Sequence, residues 1–141
     1  MKKIITAFAI YFAMLGSAWA NPYPVKVLRV IDGDTIEIEA RFLPPELKQK
    51  LSIRVLGVDT PEKGHRAQCP QEAALAEQAS AYTKALIGSG QPVEIDIAGW
   101  DKYGGRILGT VRVGGQDLAQ GLIANGFGRP YRGEKKSSWC Q

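Results

Sequence analysis

The chain has 141 residues, of which 45% are hydrophobic and 23% charged, and its formal net charge is +4. This length fits one compact domain with a core of its own, and neither a linker nor a repeat divides it. One histidine and two cysteines cannot complete a zinc ligand set, and the small positive excess argues only faintly for a polyanionic partner.

The first twenty residues have the pattern of a signal peptide. Lys2 and Lys3 precede the mostly apolar run 4–15, and Ala18-Trp19-Ala20 has the small-x-small pattern of a cleavage site. A membrane anchor is the alternative, but the run is shorter than the ~20 residues that span a bilayer. We therefore predict cleavage after Ala20, export to the periplasm or secretion, no stable membrane association afterwards, and one domain over residues 21–141.

The predicted elements are five strands and two helices. Runs rich in β-branched residues bounded by turn residues predict the strands, and apolar residues at helical spacing predict the long helix. This order fits a mainly β, α+β fold, the five-stranded Greek-key OB-fold barrel with one long and one short helix. The strands are predicted at 25–31, 35–40, 51–58, 93–97 and 107–113, and the helices at 71–86 and 117–125.

Three polar segments adjoin these strands: Asp32-Gly33-Asp34-Thr35, Arg54 to Glu62, and Asp101 to Arg106. Each alone is typical of an ordinary turn. Within the second segment, Arg54 and Asp59 are five residues apart and would point to opposite faces of a flat strand. Both can reach one site only if the strand twists, bulges or ends between them, and Gly57 is the expected place.

Together, in this order, the three segments resemble the signature segments of the staphylococcal nuclease (thermonuclease) family. The resemblance spans roughly residues 25 to 132 and implies an OB-fold enzyme that hydrolyses DNA and RNA with Ca²⁺, leaving a 3′-phosphate and a 5′-hydroxyl. It also implies a role for single residues, and we expect the chain to act as a monomer. The implied metal ligands are Asp34, Asp59 and the carbonyl of Thr60; the phosphate clamps are Arg54 and Arg106; Glu62 acts on the attacking water; and Lys102, Tyr103 and Tyr131 contact the nucleotide.

Two features depart from the family pattern. Gly104 and Gly105 stand where the pattern has one glycine, so Arg106 is displaced by one residue unless a bulge absorbs the extra one; Arg112 is the alternative arginine, but it lies well down the strand, and Arg106 is kept. The chain also lacks a long C-terminal helix. A domain that binds nucleic acid without cutting it is the competing interpretation, although all the expected carboxylates and arginines are present.

The C-terminal tail has two further features. Cys69 and Cys140 form an even pair in a chain predicted to be exported, which favours a disulfide. Basic residues lie beside Tyr131 and Trp139, a mixture that suits contact with nucleic acid, while an ordinary solvated tail is the alternative. The basic residues are Arg129, Arg132, Lys135 and Lys136.

Overall fold

A computed structural model describes residues 22–102 and 104–141. The predicted signal peptide and Tyr103 lie outside the described residues. Nine strands, two α-helices and one short 3₁₀ helix (Gly64–Arg66) are present in the described part, and none of its helices is both long and apolar enough to cross a membrane. The strands are β1 (Tyr23–Pro24), β2 (Val27–Asp32), β3 (Thr35–Glu39), β4 (Lys50–Val55), β5 (Val58–Asp59), β6 (Val93–Trp100), β7 (Arg106–Val113), β8 (Gln116–Asp117) and β9 (Arg129–Pro130), and the helices are α1 (Pro70–Ile87) and α2 (Leu118–Ala124).

The main sheet curls into a barrel. Its strand order is β1-β6-β7-β4-β3-β2, with β8 added to β7. The strands β1 and β2 lie at opposite ends of this order, yet only Val25 and Lys26 separate them in sequence. The N–H of Val25 donates to the carbonyl of Val93 at 2.9 Å, so one continuous segment joins both edges of the sheet. The predicted OB-fold class is thereby confirmed.

Alternating apolar residues form the core. In β7, Ile107, Val111 and Val113 are buried and alternate with partly exposed residues, as expected for a strand with one face inside. The helix α2 covers the barrel with Leu118 and Leu122, both fully buried. The barrel is therefore a rigid support for the polar residues at its rim.

The helix α1 fixes the turn between β2 and β3. A Cβ atom on Gly33 would lie 2.8 Å from the Cβ of Ala79 and 3.0 Å from Cγ2 of Thr60. The hydroxyl of Thr83 donates to the carbonyl of Gly33 at 2.7 Å. Only glycine permits this close approach of the turn to α1. The contact also holds Asp34, the next residue, in place.

The predicted third strand, 51–58, is divided in two. The strand β4 ends at Val55, and after a turn at Leu56-Gly57 the short β5 begins. Gly57 has a φ of +87°, which a residue with a side chain rarely adopts. The chain direction thus changes between Arg54 and Asp59, at the expected glycine. The short strands β1, β8 and β9 have two residues each and were not predicted.

Replacing Gly33 by alanine should lower the melting temperature, because the new methyl group overlaps Ala79 in a packed interface. Overpacking of this kind costs about 1–3 kcal/mol of unfolding free energy. Ala79→Gly makes space at the same contact, so the double variant should be less destabilised than the sum of the two single variants. Thermal unfolding of the three variants measures this coupling, and additive losses would contradict it.

Candidate active site

Two buried carboxylates share one arginine. Asp34 lies in the turn between β2 and β3, Asp59 ends β5, and their side chains are 5% and 6% exposed. The Nη2 atom of Arg54 lies 3.4 Å from Oδ2 of Asp34 and 3.4 Å from Oδ1 of Asp59. Charge-assisted hydrogen bonds are usually about 2.7–2.9 Å long. The arginine therefore brings the carboxylates together without saturating their oxygens.

Burial disfavours the ionised form of Asp34. It raises the pKa of this carboxyl above 3.8, and the nearby charge of Asp59 raises it further. Arg54, the hydroxyl of Thr35 at 2.9 Å and the N–H of Thr60 at 3.2 Å act in the opposite direction but do not cancel the effect of burial. Ionised Asp34 is thus short of positive charge, which an additional cation would supply.

The predicted ligand set matches what a hard cation prefers. It consists of two carboxylates and the carbonyl of Thr60, all oxygen donors, and Ca²⁺ takes six to eight such ligands. Within residues 22–102 and 104–141, no three His, Cys, Asp or Glu side chains form a metal-binding group. Water and a substrate phosphate would have to complete the coordination shell.

Glu62, the predicted base, lies between two cations. The Nζ atom of Lys136 is 3.1 Å from its Oε1, and Nε of Arg66 is 3.5 Å from its Oε2. Lys136 also lies 2.6 Å from Oδ1 of Asp59. Burial alone would lower the pKa of Lys136, but its contacts with Asp59 and Glu62 prevail and raise it. One ammonium group therefore bridges a predicted metal ligand and the predicted base.

This bridge was not predicted from the sequence. The sequence pattern places Lys136 only in a basic tail, because 74 residues separate it from Glu62 and no local pattern links them. Arg66 was missed as well, although it forms a 2.6 Å contact with buried Asp32. Its place four residues after Glu62 was the only available signal for it.

The tail is tied across the site. Cys69 and Cys140 form the predicted disulfide, with their Cα atoms 6.0 Å apart. Trp139 donates its indole N–H to Oδ2 of Asp59 at 3.3 Å, and its ring lies 3.8 Å from the guanidinium carbon of Arg129. The tail is therefore part of the site and does not extend into solvent as a separate segment.

Arg106, the predicted clamp, follows the paired glycines and lines the cleft described next, so its assignment stays a prediction that this position is compatible with. Gly104 and Gly105 have φ values of +70° and +73° and form the turn before β7. Arg106 begins that strand, and its guanidinium group donates a hydrogen bond to the carboxylate of Asp101. The alternative, Arg112, is bonded to Asp96 and does not line the cleft described next.

An open cleft of about 670 Å³ is lined by the predicted phosphate clamps and the predicted base. The predicted metal ligands Asp34, Asp59 and Thr60 do not line it. Asp34 and Asp59 contact Arg54, and Asp59 also contacts Lys136, and these two cations do line it. Its wall includes the predicted residues Arg54, Glu62, Lys102, Arg106 and Tyr131. The guanidinium carbon of Arg54 lies 5.7 Å from the ring centre of Tyr131.

The raised pKa of Asp34 predicts how stability depends on pH in the absence of metal. A carboxyl with a raised folded-state pKa contributes stability below its unfolded pKa, here near 3.8, and that contribution is lost as the pH rises through the folded pKa. Asp34→Asn should therefore melt at a higher temperature than wild type at pH 7 in chelator. Near pH 3 the two should melt alike. Thermal scans across this range test the sign, and a lower melting temperature of the variant at pH 7 would contradict it.

Comparison with known proteins identifies the family of this chain. The sequence model of the family described as staphylococcal nuclease homologue matches residues 52–139. The thermonuclease of Staphylococcus hyicus is 34% identical to this chain over an alignment of 147 residues including gaps. The alignment covers 92% of this chain and 82% of that protein. The probable endonuclease LCL3 of Yarrowia lipolytica is 30% identical over 125 residues, which cover 86% of this chain but only 47% of that relative, about half its length. The chain belongs to the staphylococcal nuclease family, as its three sequence motifs predict.

Proposed function

We propose that this chain is an exported, monomeric endonuclease that uses Ca²⁺ to hydrolyse DNA and RNA, leaving 3′-phosphate and 5′-hydroxyl ends. Membership of a nuclease family supports the hydrolysis of phosphodiester bonds in nucleic acids. The observation that carries the proposal is the convergence of Arg54, Arg106 and Glu62 on one cleft, with a pair of buried carboxylates in contact with Arg54.

The arginines bind and stabilise the phosphate. A guanidinium presents paired donors that match phosphate oxygens and keeps its charge throughout the working pH range. Arg54 is only 12% exposed and Arg106 is 30% exposed, so both are held in place before substrate arrives. Donors that are already oriented stabilise the charge that develops in the transition state.

Glu62 removes the proton from the attacking water. The water oxygen forms a bond to phosphorus, its proton passes to Glu62, and the bond from phosphorus to the 5′-oxygen breaks. The leaving oxygen takes a proton from solvent and becomes the 5′-hydroxyl, while the phosphate stays on the 3′ side. Glu62 is 31% exposed and lines the cleft, so water and substrate can both reach it.

Ca²⁺ would be held by Asp34, Asp59 and the carbonyl of Thr60, and when bound it would polarise water and neutralise phosphate charge. The oxygen donor chemistry and the shortage of positive charge at Asp34 support this choice. With only two carboxylates, we expect a dissociation constant of about 10⁻⁴ to 10⁻³ M without substrate.

Export is supported by the signal-peptide pattern and by a disulfide of the kind that persists in oxidising compartments. We expect no stable association with the membrane after the signal peptide has been removed.

Cleavage of labelled single-stranded DNA, with and without Ca²⁺, tests the proposal through the ends produced. Arg106→Ala should lower kcat by ~10³ or more and change KM little, by analogy with arginines that stabilise phosphoryl transfer. Arg112→Ala is the matched control, because Arg112 lies on the same strand and is also paired with an aspartate. Equal effects of both substitutions would contradict the assigned role. Binding without any cleavage by wild type would favour the inert binding domain instead.

Removing the charge of Lys136 should strengthen Ca²⁺ binding, because its ammonium group lies 2.6 Å from an oxygen of Asp59 that the metal would need. An ion pair that is partly exposed contributes up to about 1 kcal/mol, so Lys136→Met should lower the dissociation constant several-fold. Titration calorimetry measures it. Lys135→Met changes the net charge equally, and Lys135 forms no ion pair with a described residue. An equal gain in Ca²⁺ affinity in both variants would show a general effect of net charge. It would contradict competition between Lys136 and Ca²⁺ for Asp59.

A further inference from the structure

Trp100 is an exposed aromatic residue in the cleft with no assigned role. Its side chain is 65% exposed, and the other large hydrophobic residue exposed in the cleft wall, Leu56, is 44% exposed. Tryptophan is highly buried on average. Neither a hydrogen bond nor a ring contact joins this indole to another residue that the structure describes. Folding alone therefore gives no reason for its position.

The sheet holds Trp100 beside the phosphate clamp. It is the last residue of β6 and is paired with Ile107 of β7. The next residue, Asp101, donates its N–H to the carbonyl of Arg106 at 2.9 Å. The indole and the Arg106 guanidinium therefore belong to adjacent positions of one hairpin, and both line the cleft.

The charge of the cleft indicates what the indole would contact. Six basic side chains line the cleft against three acidic ones. A basic groove with aromatic side chains on which bases stack is typical of channels for single-stranded nucleic acid. Such stacking is tolerant of sequence, because every base has an aromatic face.

We propose that Trp100 forms a base-stacking subsite in the cleft that Arg106 also lines. A base inside a duplex is paired and stacked on its neighbours, so the indole can reach it only after it has been unstacked. The inference rests on the proposed function for the presence of a nucleic acid in the cleft. It adds a residue that contacts a base of the substrate.

Binding of a labelled dT oligonucleotide with Ca²⁺, in a Glu62→Gln background to limit cleavage, tests the subsite. Trp100→Ala should weaken affinity about 5- to 150-fold, the range found for stacking of one base on an aromatic side chain. Trp100→Phe should stay within about threefold of the parent, because a ring remains. Phe42→Ala is the matched control, since Phe42 is also 65% exposed but lies outside the cleft, and it should change affinity less than twofold.

Two further measurements separate stacking from a general loss of structure. The penalty of Trp100→Ala should vanish for an oligonucleotide without bases and be small for a duplex; equal penalties for all three ligands would overturn the proposal. Oligonucleotide should also quench tryptophan emission in the parent far more than in the Trp100→Phe variant. If the oligonucleotide quenches emission equally in the Trp100→Phe variant, the quenched residue is another tryptophan, and the proposal is overturned.

The outcomes also distinguish this inference from the proposed function. If the wild-type chain cleaves nucleic acid but Trp100→Ala leaves affinity unchanged, the base-stacking subsite alone is wrong. If the chain binds single strands through Trp100 but cleaves none of them, the nuclease proposal alone is wrong.

Discussion

The pairing of two buried carboxylates is the constraint on which the site depends. Asp34 and Asp59 are each almost removed from water, and like charges in such surroundings repel each other strongly. Arg54 reduces this repulsion by contacting both, but at 3.4 Å it does so incompletely. Burial is the main cause of the raised pKa of Asp34, and the charge of Asp59 adds to it. The remaining deficit of positive charge explains why Lys136, a second cation, lies against Asp59.

The scaffold keeps the carboxylates together in spite of that repulsion. Ala79 of α1 packs against Gly33 and prevents the first acidic turn from moving away. The turn at Gly57 returns the chain so that Asp59 faces the same side as Arg54. Packing of apolar groups thus supplies the stability that the charged cluster by itself lacks, and the cluster can remain reactive.

The sequence predicted those parts of the fold and the site that depend on local patterns. Gly57 indicated the break in the third strand because a flat strand could not place Arg54 and Asp59 together. The disulfide followed from an even pair of cysteines. Lys136 and Trp100 could not be predicted in the same way, because their positions depend on which distant segments the folded barrel brings together. The two-residue strands were missed because they carry no periodicity.

The tail delivers a cation to the carboxylate cluster. Lys136 lies between two attachments, the β5–β9 pairing and the bond from Cys140 to Cys69, which hold its ammonium group near Asp59. A side chain on a segment that is fixed at both ends loses less freedom when it forms an ion pair than one on a free tail, so the contact with Asp59 costs less conformational entropy. The same attachments explain how a residue so far along the chain from Asp59 can offset the charge of this buried carboxylate. A lysine delivered by the tail thus adds positive charge that Arg54 alone does not supply to the cluster.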